Sequence, residues 1–312
     1  MQRFKNILFV SSAGAGPEPA LIRAAELAAL NGGKLTVVQT ATPRPDAISD
    51  DLGNQIDGLF QVAEKEQLQE LAQLADSLET VGPRPSTRLL QGKPFLAIIQ
   101  TVLRDGHDLV MKTAEGPTGA LRTRLFGSTD QHLMRKCPCP VWLFKRDQEA
   151  HFHSVLAAVD VGGGGNSTLN GRILQLASTL SSRENAQLHV VHAWSLTGET
   201  FLRSSGHKVG EEVMAQLFDA EENRRTRRLE ALVDAEVSPE ARATLHVERG
   251  EPADGVGSVA DSVGADVVVM GTLSRAGVRG LLIGNTAETV LGRLNCSVLT
   301  VKPEEFQTPV SL

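Results

Sequence analysis

Tyrosine is absent from this sequence of 312 residues, and the other aromatic residues are scarce, with ten Phe and two Trp. Proteins that bind RNA or single-stranded DNA usually stack bases on aromatic side chains, so this composition argues against that class. The net charge of −6 at pH 7 also argues against a polyanionic partner. We therefore expect no nucleic-acid partner.

Cysteine is also rare, with three residues in the whole chain. An odd, small number in a long chain does not form a disulfide framework, which predicts a reducing compartment. The N-terminal stretch MQRFKNILFV contains only the short apolar run ILFV, far too short for the core of a signal peptide. Apolar runs long enough to span a bilayer are missing too. These features predict a soluble, cytoplasmic protein with no membrane partner.

Five segments of the first half recur in the same order in the second half. They are KNILFVS (5–11) and SVLAAVD (154–160), GKP (92–94) and GEP (250–252), HDLVM (107–111) and ADVVV (265–269), GSTDQHL (127–133) and GNTAETV (284–290), and CPVWLFK (139–145) and CSVLTVK (296–302). Their nearly constant separation indicates an internal duplication. It predicts two domains, 1–146 and 152–312, joined by a charged linker. We expect the halves to pack as an intramolecular pseudo-dimer with their last strands near the contact, and a homodimer is a further option.

Within each half, short apolar runs alternate with amphipathic segments. DLVM and DVVVM are apolar throughout, which is typical of strands buried on both faces. Pro94 and Pro252 lie where helices are expected to begin. Five strands alternating with four helices predict an α/β fold in each half, with a parallel sheet flanked by helices.

Glycine is concentrated in MGTLSRAGVRGLLIGNTAETVL (270–291), between a predicted strand and a predicted helix. In an open parallel sheet, ligands bind beyond the carboxyl ends of the strands, and glycine there lets backbone amides approach an anion. The N-terminus of the following helix, at Gly284, Asn285 and Thr286, also favours an anion. Asp160 ends the first strand of the same half. The alternatives are a mobile surface loop, a plain helix cap and a plain turn residue.

The run GTLSRAG…GNTAE resembles the signature of the universal stress protein family, G-x2-G-x9-G followed by a small polar residue. Gly271, Ser274, Gly284 and Asn285 occupy its positions, with Ser274 where a second glycine is usual. The duplication and the segment GSTDQHLMRKCPCPVW resemble the tandem, E-type subgroup. The resemblance implies two Rossmann-like domains of the adenine nucleotide alpha hydrolase-like type and a cytoplasmic role in stress resistance. It also implies a small-molecule ligand, ATP (with Mg²⁺) or a related nucleotide.

The C-terminal half holds the nucleotide site that this resemblance implies. Asp160 would accept hydrogen bonds from ribose hydroxyls, Ala193 would contact the base through its backbone, and Met270 would pack on the base. The remaining predicted binding residues are Gly271, Ser274, Arg275, Gly284, Asn285 and Thr286.

The N-terminal half departs from this pattern. Ser11 replaces the carboxylate, Thr113 replaces the first glycine, and Pro117 removes a donor amide. We therefore expect a degenerate half that is retained for packing.

Three further motifs have simpler interpretations. Glycines 162–165 lack both a dinucleotide fingerprint and a P-loop ending, and predict a flexible turn before a helix capped by Asn166 or Ser167. Cys137 and Cys139, with His132, His151 and His153 nearby in sequence, have the residue types of a zinc site, but two cysteines at the start of a buried strand favour no metal. Arg224, Arg225, Arg227 and Arg228 form a basic cluster. Glu221 precedes the first two at i,i+3 and i,i+4 spacing, which predicts a solvated, ion-paired helix face.

The sequence indicates no catalytic residue, because it contains no nucleophile elbow and no recognisable base for phosphoryl transfer. We expect a binding protein with at most weak ATP hydrolysis. Two other functions stay open: a binder or sensor of an apolar small molecule in the same cleft, and a non-catalytic interaction scaffold.

Overall fold

The computed structural model describes residues 4–14, 16, 18–42, 50–115, 126–146, 151–162, 167–204, 209–272 and 285–312. The strands in these residues are β1 (Asn6–Val10), β2 (Lys34–Thr40), β3 (Ser86–Leu90), β4 (Leu109–Thr113), β5 (Val141–Phe144), β6 (Ser154–Ala158), β7 (Gln187–Trp194), β8 (Ala243–Arg249), β9 (Val267–Gly271) and β10 (Ser297–Val301). The helices are α1 (Pro19–Leu30), α2 (Asp50–Ser77), α3 (Pro94–Asp105), α4 (Ser128–Lys136), α5 (Ser167–Glu184), α6 (Glu199–Ser204), α7 (Glu211–Glu236), α8 (Pro252–Ser262) and α9 (Asn285–Arg293).

The contacts divide the chain into two compact units. The first unit holds the described residues of the N-terminal half together with 297–312. Its strands lie in the order β3-β2-β1-β4-β5-β10. The pairs from β3 to β5 are parallel, whereas β10 runs antiparallel to β5.

The second unit holds the described residues of 151–272 and 285–296. Its four strands lie in the order β9-β6-β7-β8 and are all parallel. Helix α5 packs against β6, β7 and β9, and α8 packs against β7 and β8.

Local chemistry explains these elements. β4 is buried along its whole length and β9 along all but its last residue, as expected for strands covered on both faces. α3 and α8 begin at Pro94 and Pro252, where the missing N–H costs nothing. α3 ends at Gly106, whose φ of 67° is easily adopted only by glycine.

The predicted α/β fold, a mostly parallel sheet flanked by helices in two tandem domains, is confirmed. The expected meeting of the last strands is also present, because Leu299 of β10 pairs with Trp142 of β5. The domain boundaries 1–146 and 152–312 stay a prediction.

Candidate functional site

In the second unit the connections change direction between β6 and β9. β7, reached from β6 through α5, pairs with one side of β6, whereas β9 pairs with the other side. Such a reversal opens a crevice beyond the carboxyl ends of the two strands. Ala158 of β6 is the register partner of Met270. Asp160, which follows β6, and Gly271, which ends β9, therefore lie at the same edge of the sheet.

The loop after β6 is fixed by Asp160 and Asn170. Asn170, buried in α5, accepts from the backbone N–H of Asp160 (3.2 Å) and donates through Nδ2 to its carbonyl oxygen (2.7 Å). The Asp160 carboxylate accepts from the N–H of Gly162 at 2.9 Å, which forms an Asx-turn. The side chain is still 38% exposed. Asp160 is thus a turn residue that also presents its carboxylate to solvent.

The backbone of β7 at Ala193 faces the crevice. The carbonyl of Val191 accepts from Val159, on the β6 side, and the carbonyl of Trp194 accepts from Gly250, on the β8 side. Carbonyls along a strand alternate between the two sides, so that of Ala193 points toward β6. The register between β6 and β7 ends at Val191, so Ala193 lies beyond it.

Small residues let the helices approach this edge closely. A Cβ atom on Gly271 would lie 2.9 Å from Leu169 Cδ2, and one on Gly255 of α8 would lie 2.8 Å from the Ala193 Cβ. Met270 is buried. Gly271 and Ala193 therefore have packing roles that are independent of any ligand.

Thr272 follows Gly271 and is fully buried. Its Oγ1 has no hydrogen-bond partner within the described part of the chain. Leaving such a group unpaired costs about 1–3 kcal/mol, so its position at the start of the predicted loop calls for an explanation.

His192 and Arg225 support the loop after β6, and the sequence did not reveal either role. His192 is buried in β7, with Nδ1 3.2 Å from the Val159 carbonyl oxygen and Nε2 3.3 Å from Arg225 Nη1. Arginine has no acceptor, so this contact requires Nε2 to accept and places the proton on Nδ1, which donates to Val159. The N–H of Val161, 3.4 Å from the same Nδ1, then finds no acceptor there, so of the two contacts we assign the hydrogen bond to the shorter one. The contact with arginine thereby selects the neutral ring.

The arginines of α7 differ in their surroundings. Arg224 and Arg225 both pair with Glu221, which confirms the predicted ion pairing, and Arg224 and then Arg225 lower the pKa of Glu221. Arg225 is only 13% exposed, however, and its guanidinium lies 5.9 Å from the centre of the Trp194 ring. Arg228 Nη1 donates to the Val161 carbonyl at 3.4 Å. The prediction of a solvated face was therefore wrong for Arg225, because this side chain packs over β7.

The corresponding edge of the first unit is an open cleft. Six of its lining residues are Ser11, Ser12, Thr40, Gln67, Lys112 and Thr129. At its floor, Lys112 Nζ lies 3.0 Å from Asp130 Oδ1 and 3.3 Å from Glu115 Oε1. The N–H groups of Glu115 and Gly127 donate to Asp130 Oδ2 at 3.0 and 3.1 Å. The Asp130 carboxylate, which belongs to the first turn of α4, therefore ties the start of this helix to the end of β4.

Asp130 is completely buried. Burial raises its pKa, and the charge of Lys112 opposes this change. In the aligned segments GSTDQHL and GNTAETV, Asp130 corresponds to Ala287. The internal carboxylate is therefore a feature of the N-terminal half alone. Thr113, which stands where the first glycine is usual, donates to Glu18 at 2.7 Å.

The profile of the universal stress protein family matches this chain twice, at residues 3–145 and 151–302. The chain belongs to the universal stress protein family. Its two matches make it a tandem member, and it is 31% identical to universal stress protein E of Escherichia coli (strain K12) over 70% of this chain and 68% of the relative. Universal stress protein E of Photorhabdus laumondii is 26% identical to this chain, and the matched region covers 99% of this chain and 98% of that relative.

Solved structures show the same architecture. A functionally unknown protein from Pseudomonas aeruginosa has a TM-score of 0.67 and 26% identity, with 97% of this chain and 94% of that chain covered. A universal stress protein from Archaeoglobus fulgidus has a TM-score of 0.60 at 18% identity, with 96% and 97% covered, and supports the fold alone.

Part of this universal stress protein's predicted site lies outside the described residues, namely Ser274, Arg275 and Gly284. Asn285 and Thr286 form the first turn of α9, and their side chains lie outside the described part. The glycine run 163–165 with Asn166, and Pro117, are outside it as well, whereas Ser167 begins α5.

The residues considered for zinc do not converge. Across the described ranges, no three His, Cys, Asp or Glu side chains are grouped so as to hold a metal ion. His132 instead stacks on Phe95 with ring centres 4.1 Å apart, and the exposed His151 lies 3.7 Å from Glu184. His153 donates its backbone N–H to Asp266.

Among the described residues, every helix falls short of the length or the hydropathy that a bilayer span requires.

Proposed function

We propose that this tandem universal stress protein binds ATP or a related adenine nucleotide in its C-terminal half. The observation that carries the proposal is the meeting of Asp160 and Gly271 at a sheet edge where the connections reverse direction. Ligands of open α/β sheets bind at such edges.

The described residues fit the parts of a nucleoside. The exposed carboxylate of Asp160 is an acceptor for ribose hydroxyls. The carbonyl of Ala193, directed into the crevice, is an acceptor for the amino group of adenine, and the end of β9 at Met270 offers an apolar wall. The Thr272 hydroxyl, which has no hydrogen-bond partner among the described residues, gains one if a ligand or an ordered water enters beside it.

The phosphates are assigned to the loop after β9 and to the first turn of α9. Unpaired amides and the helix dipole favour an anion at Gly284, Asn285 and Thr286, and Arg275 adds a positive charge. Ser274 occupies the position of a usual glycine, so the proposal relies on the remaining amides. We assign no protein ligand to Mg²⁺. We also assign no residue the role of catalytic base.

The wider role that we propose is stress resistance in the cytoplasm, and the family membership supports it. The N-terminal half contributes packing rather than a second nucleotide site, because Asp130 places a carboxylate in the first turn of α4, where it would repel a phosphate.

Native mass spectrometry of the purified full-length chain tests the proposal. We expect a co-purifying adenine nucleotide, or one bound after addition of ATP with Mg²⁺, and its loss in Asp160→Ala. A co-purifying apolar molecule that Asp160→Ala retains would favour a sensor of apolar ligands instead. Absence of any ligand at millimolar ATP would favour an interaction scaffold.

A further inference from the structure

Cys137, Cys139 and Lys302 form a buried cluster in the first unit and do not line the N-terminal cleft. The sulfur atoms of the two cysteines are 3.5 Å apart, and neither is in a disulfide. Cys137 is fully buried and Cys139 is 9% exposed.

Strand pairing brings the lysine to this cluster. Thr300 of β10 pairs with Val141 of β5 in antiparallel register. Continuing this register by two residues places Lys302 opposite Cys139. Lys302 is also buried, and its Nζ donates to the Met134 carbonyl at 2.5 Å.

We propose that Cys137 and Cys139 are a peroxide-sensitive dithiol that closes to an intramolecular disulfide, with Lys302 as the cation that activates the attacking sulfur. A disulfide needs the two sulfurs at about 2.05 Å with a Cβ–S–S–Cβ dihedral angle near 90°, so they have to approach by about 1.5 Å from the present contact and rotate into that geometry. Only Pro138 separates the two residues in the sequence.

The electrostatics of the cluster suit this chemistry. Burial opposes ionisation of Cys137, but the hydrogen bond from Cys139 and the charge of Lys302 together lower its pKa. The hydrogen bond to Cys137, and then burial, raise the pKa of Cys139. Burial lowers the pKa of Lys302 to about 8, and the two sulfurs act in the opposite direction. Within this proposal, Cys137 is therefore assigned as the attacking sulfur and Cys139 as the resolving sulfur.

The reaction balances with one molecule of hydrogen peroxide. The Cys137 thiolate attacks one peroxide oxygen, the O–O bond breaks, and the leaving hydroxide takes a proton from Lys302 to form water. Cys137 is then a sulfenic acid. The Cys139 sulfur attacks the Cys137 sulfur, and the sulfenic hydroxyl leaves with the Cys139 proton as a second water. The products are a disulfide, a neutral lysine and two waters.

The internal repeat supplies a natural control. Cys139 aligns with Cys296 and Lys145 aligns with Lys302, but Leu294 stands where the first half has Cys137. The C-terminal half therefore has a single thiol in the equivalent position and cannot form this disulfide.

The test uses the reduced full-length protein, hydrogen peroxide and mass spectrometry after alkylation of the remaining thiols. Trypsin cleaves after Lys136 and Lys145, so one peptide carries both cysteines of the cluster. We expect this peptide to lose about 2 Da and both alkylation sites, while Cys296 stays alkylated. Cys296→Ser should behave like the wild type, and Lys302→Met should oxidise about tenfold more slowly.

Two results would overturn the proposal. One is full alkylation of Cys137 and Cys139, or only oxygen addition to them, in folded wild-type protein after excess peroxide. The other is an unchanged oxidation rate in Lys302→Met, which would remove the lysine from the reaction. The first result is measured on the wild type and the second on Lys302→Met. Neither result therefore requires that a variant lacking Cys137 or Cys139 folds.

Discussion

Lys112 Nζ lies 3.0 Å from the Oδ1 atom of Asp130, and both side chains are buried beneath the N-terminal cleft. The same carboxylate, in the first turn of α4, accepts the backbone N–H of Gly127 before that helix and the N–H of Glu115 after β4. We propose an anion at the start of α9 in the C-terminal half. The equivalent helix of the N-terminal half, α4, therefore already carries a carboxylate in its first turn.

The first prediction concerns the free energy of unfolding. Asp130→Asn removes the charge that compensates Lys112, and breaking a buried pair by removing one partner costs about 3–5 kcal/mol. Glu115→Gln is the matched control, since Glu115 also contacts Lys112 but is 34% exposed, and we expect a loss below about 1 kcal/mol. Urea unfolding measures both. Equal losses would show that Asp130 is not the main partner of Lys112.

The second prediction concerns Arg225 and its neighbour Arg224. Both pair with Glu221, but Arg224 is 55% exposed, whereas Arg225 also contacts His192 beneath the loop that carries Asp160. We expect Arg225→Met to lower stability by about 1–3 kcal/mol, because Glu221 and His192 lose a partner, and to weaken nucleotide binding. Arg224→Met should change stability by less than about 0.5 kcal/mol. Indistinguishable unfolding midpoints for the two variants would contradict the supporting role of Arg225.

The third prediction compares two glycines beside the crevice. In Gly255→Ala the new methyl group would meet the Cβ atoms of Ala193 and Glu248 at 2.8 and 3.1 Å, which are tied to the backbone. Overpacking of this kind costs about 1–3 kcal/mol. In Gly271→Ala it would meet the end of the Leu169 side chain, which rotates away more easily. Thermal unfolding should therefore rank Gly255→Ala as the less stable variant, and the opposite order would be inconsistent with this packing.

The fourth prediction concerns acid. Burial, and then the charge of His246, lower the pKa of His189, and His246 Nε2 lies 3.1 Å from His189 Nδ1. A histidine whose pKa is lower in the folded state stabilises the protein above its unfolded pKa of about 6.5 and loses this contribution as pH falls further. We expect stability to fall below about pH 6.5, and less steeply in His189→Gln. An unchanged slope in the variant would show that His189 does not contribute.

The sequence was sufficient to predict most of the fold, because its strands are short apolar runs and its two halves repeat the same order. It also predicted which strands meet, since the apolar segments around Trp142 and Leu299 both end their halves. Lys112 was a visible signal that was missed. A lysine inside an otherwise apolar strand needs a buried partner, and Asp130 stands where the second half has Ala287.

The site was less predictable. The contact between His192 and Arg225 joins residues that are far apart in sequence. The alternation of side chains along β7 does not predict this contact. The short helix α6 (Glu199–Ser204) was also missed, because six residues are too few for a periodic pattern.

The most direct test of the proposed nucleotide site is calorimetric titration of ATP into the full-length protein and two glycine variants. Gly284→Val should block the amides at the start of α9 and reduce affinity at least about tenfold, equivalent to about 1.4 kcal/mol. Gly280→Ala, in the same loop but outside the signature, should bind like the wild type. The wild type should bind a single nucleotide per chain, because the Asp130 carboxylate in the first turn of α4 disfavours a second phosphate there. Equal affinity of the wild type and Gly284→Val, or two equivalent sites per chain, would contradict the proposal.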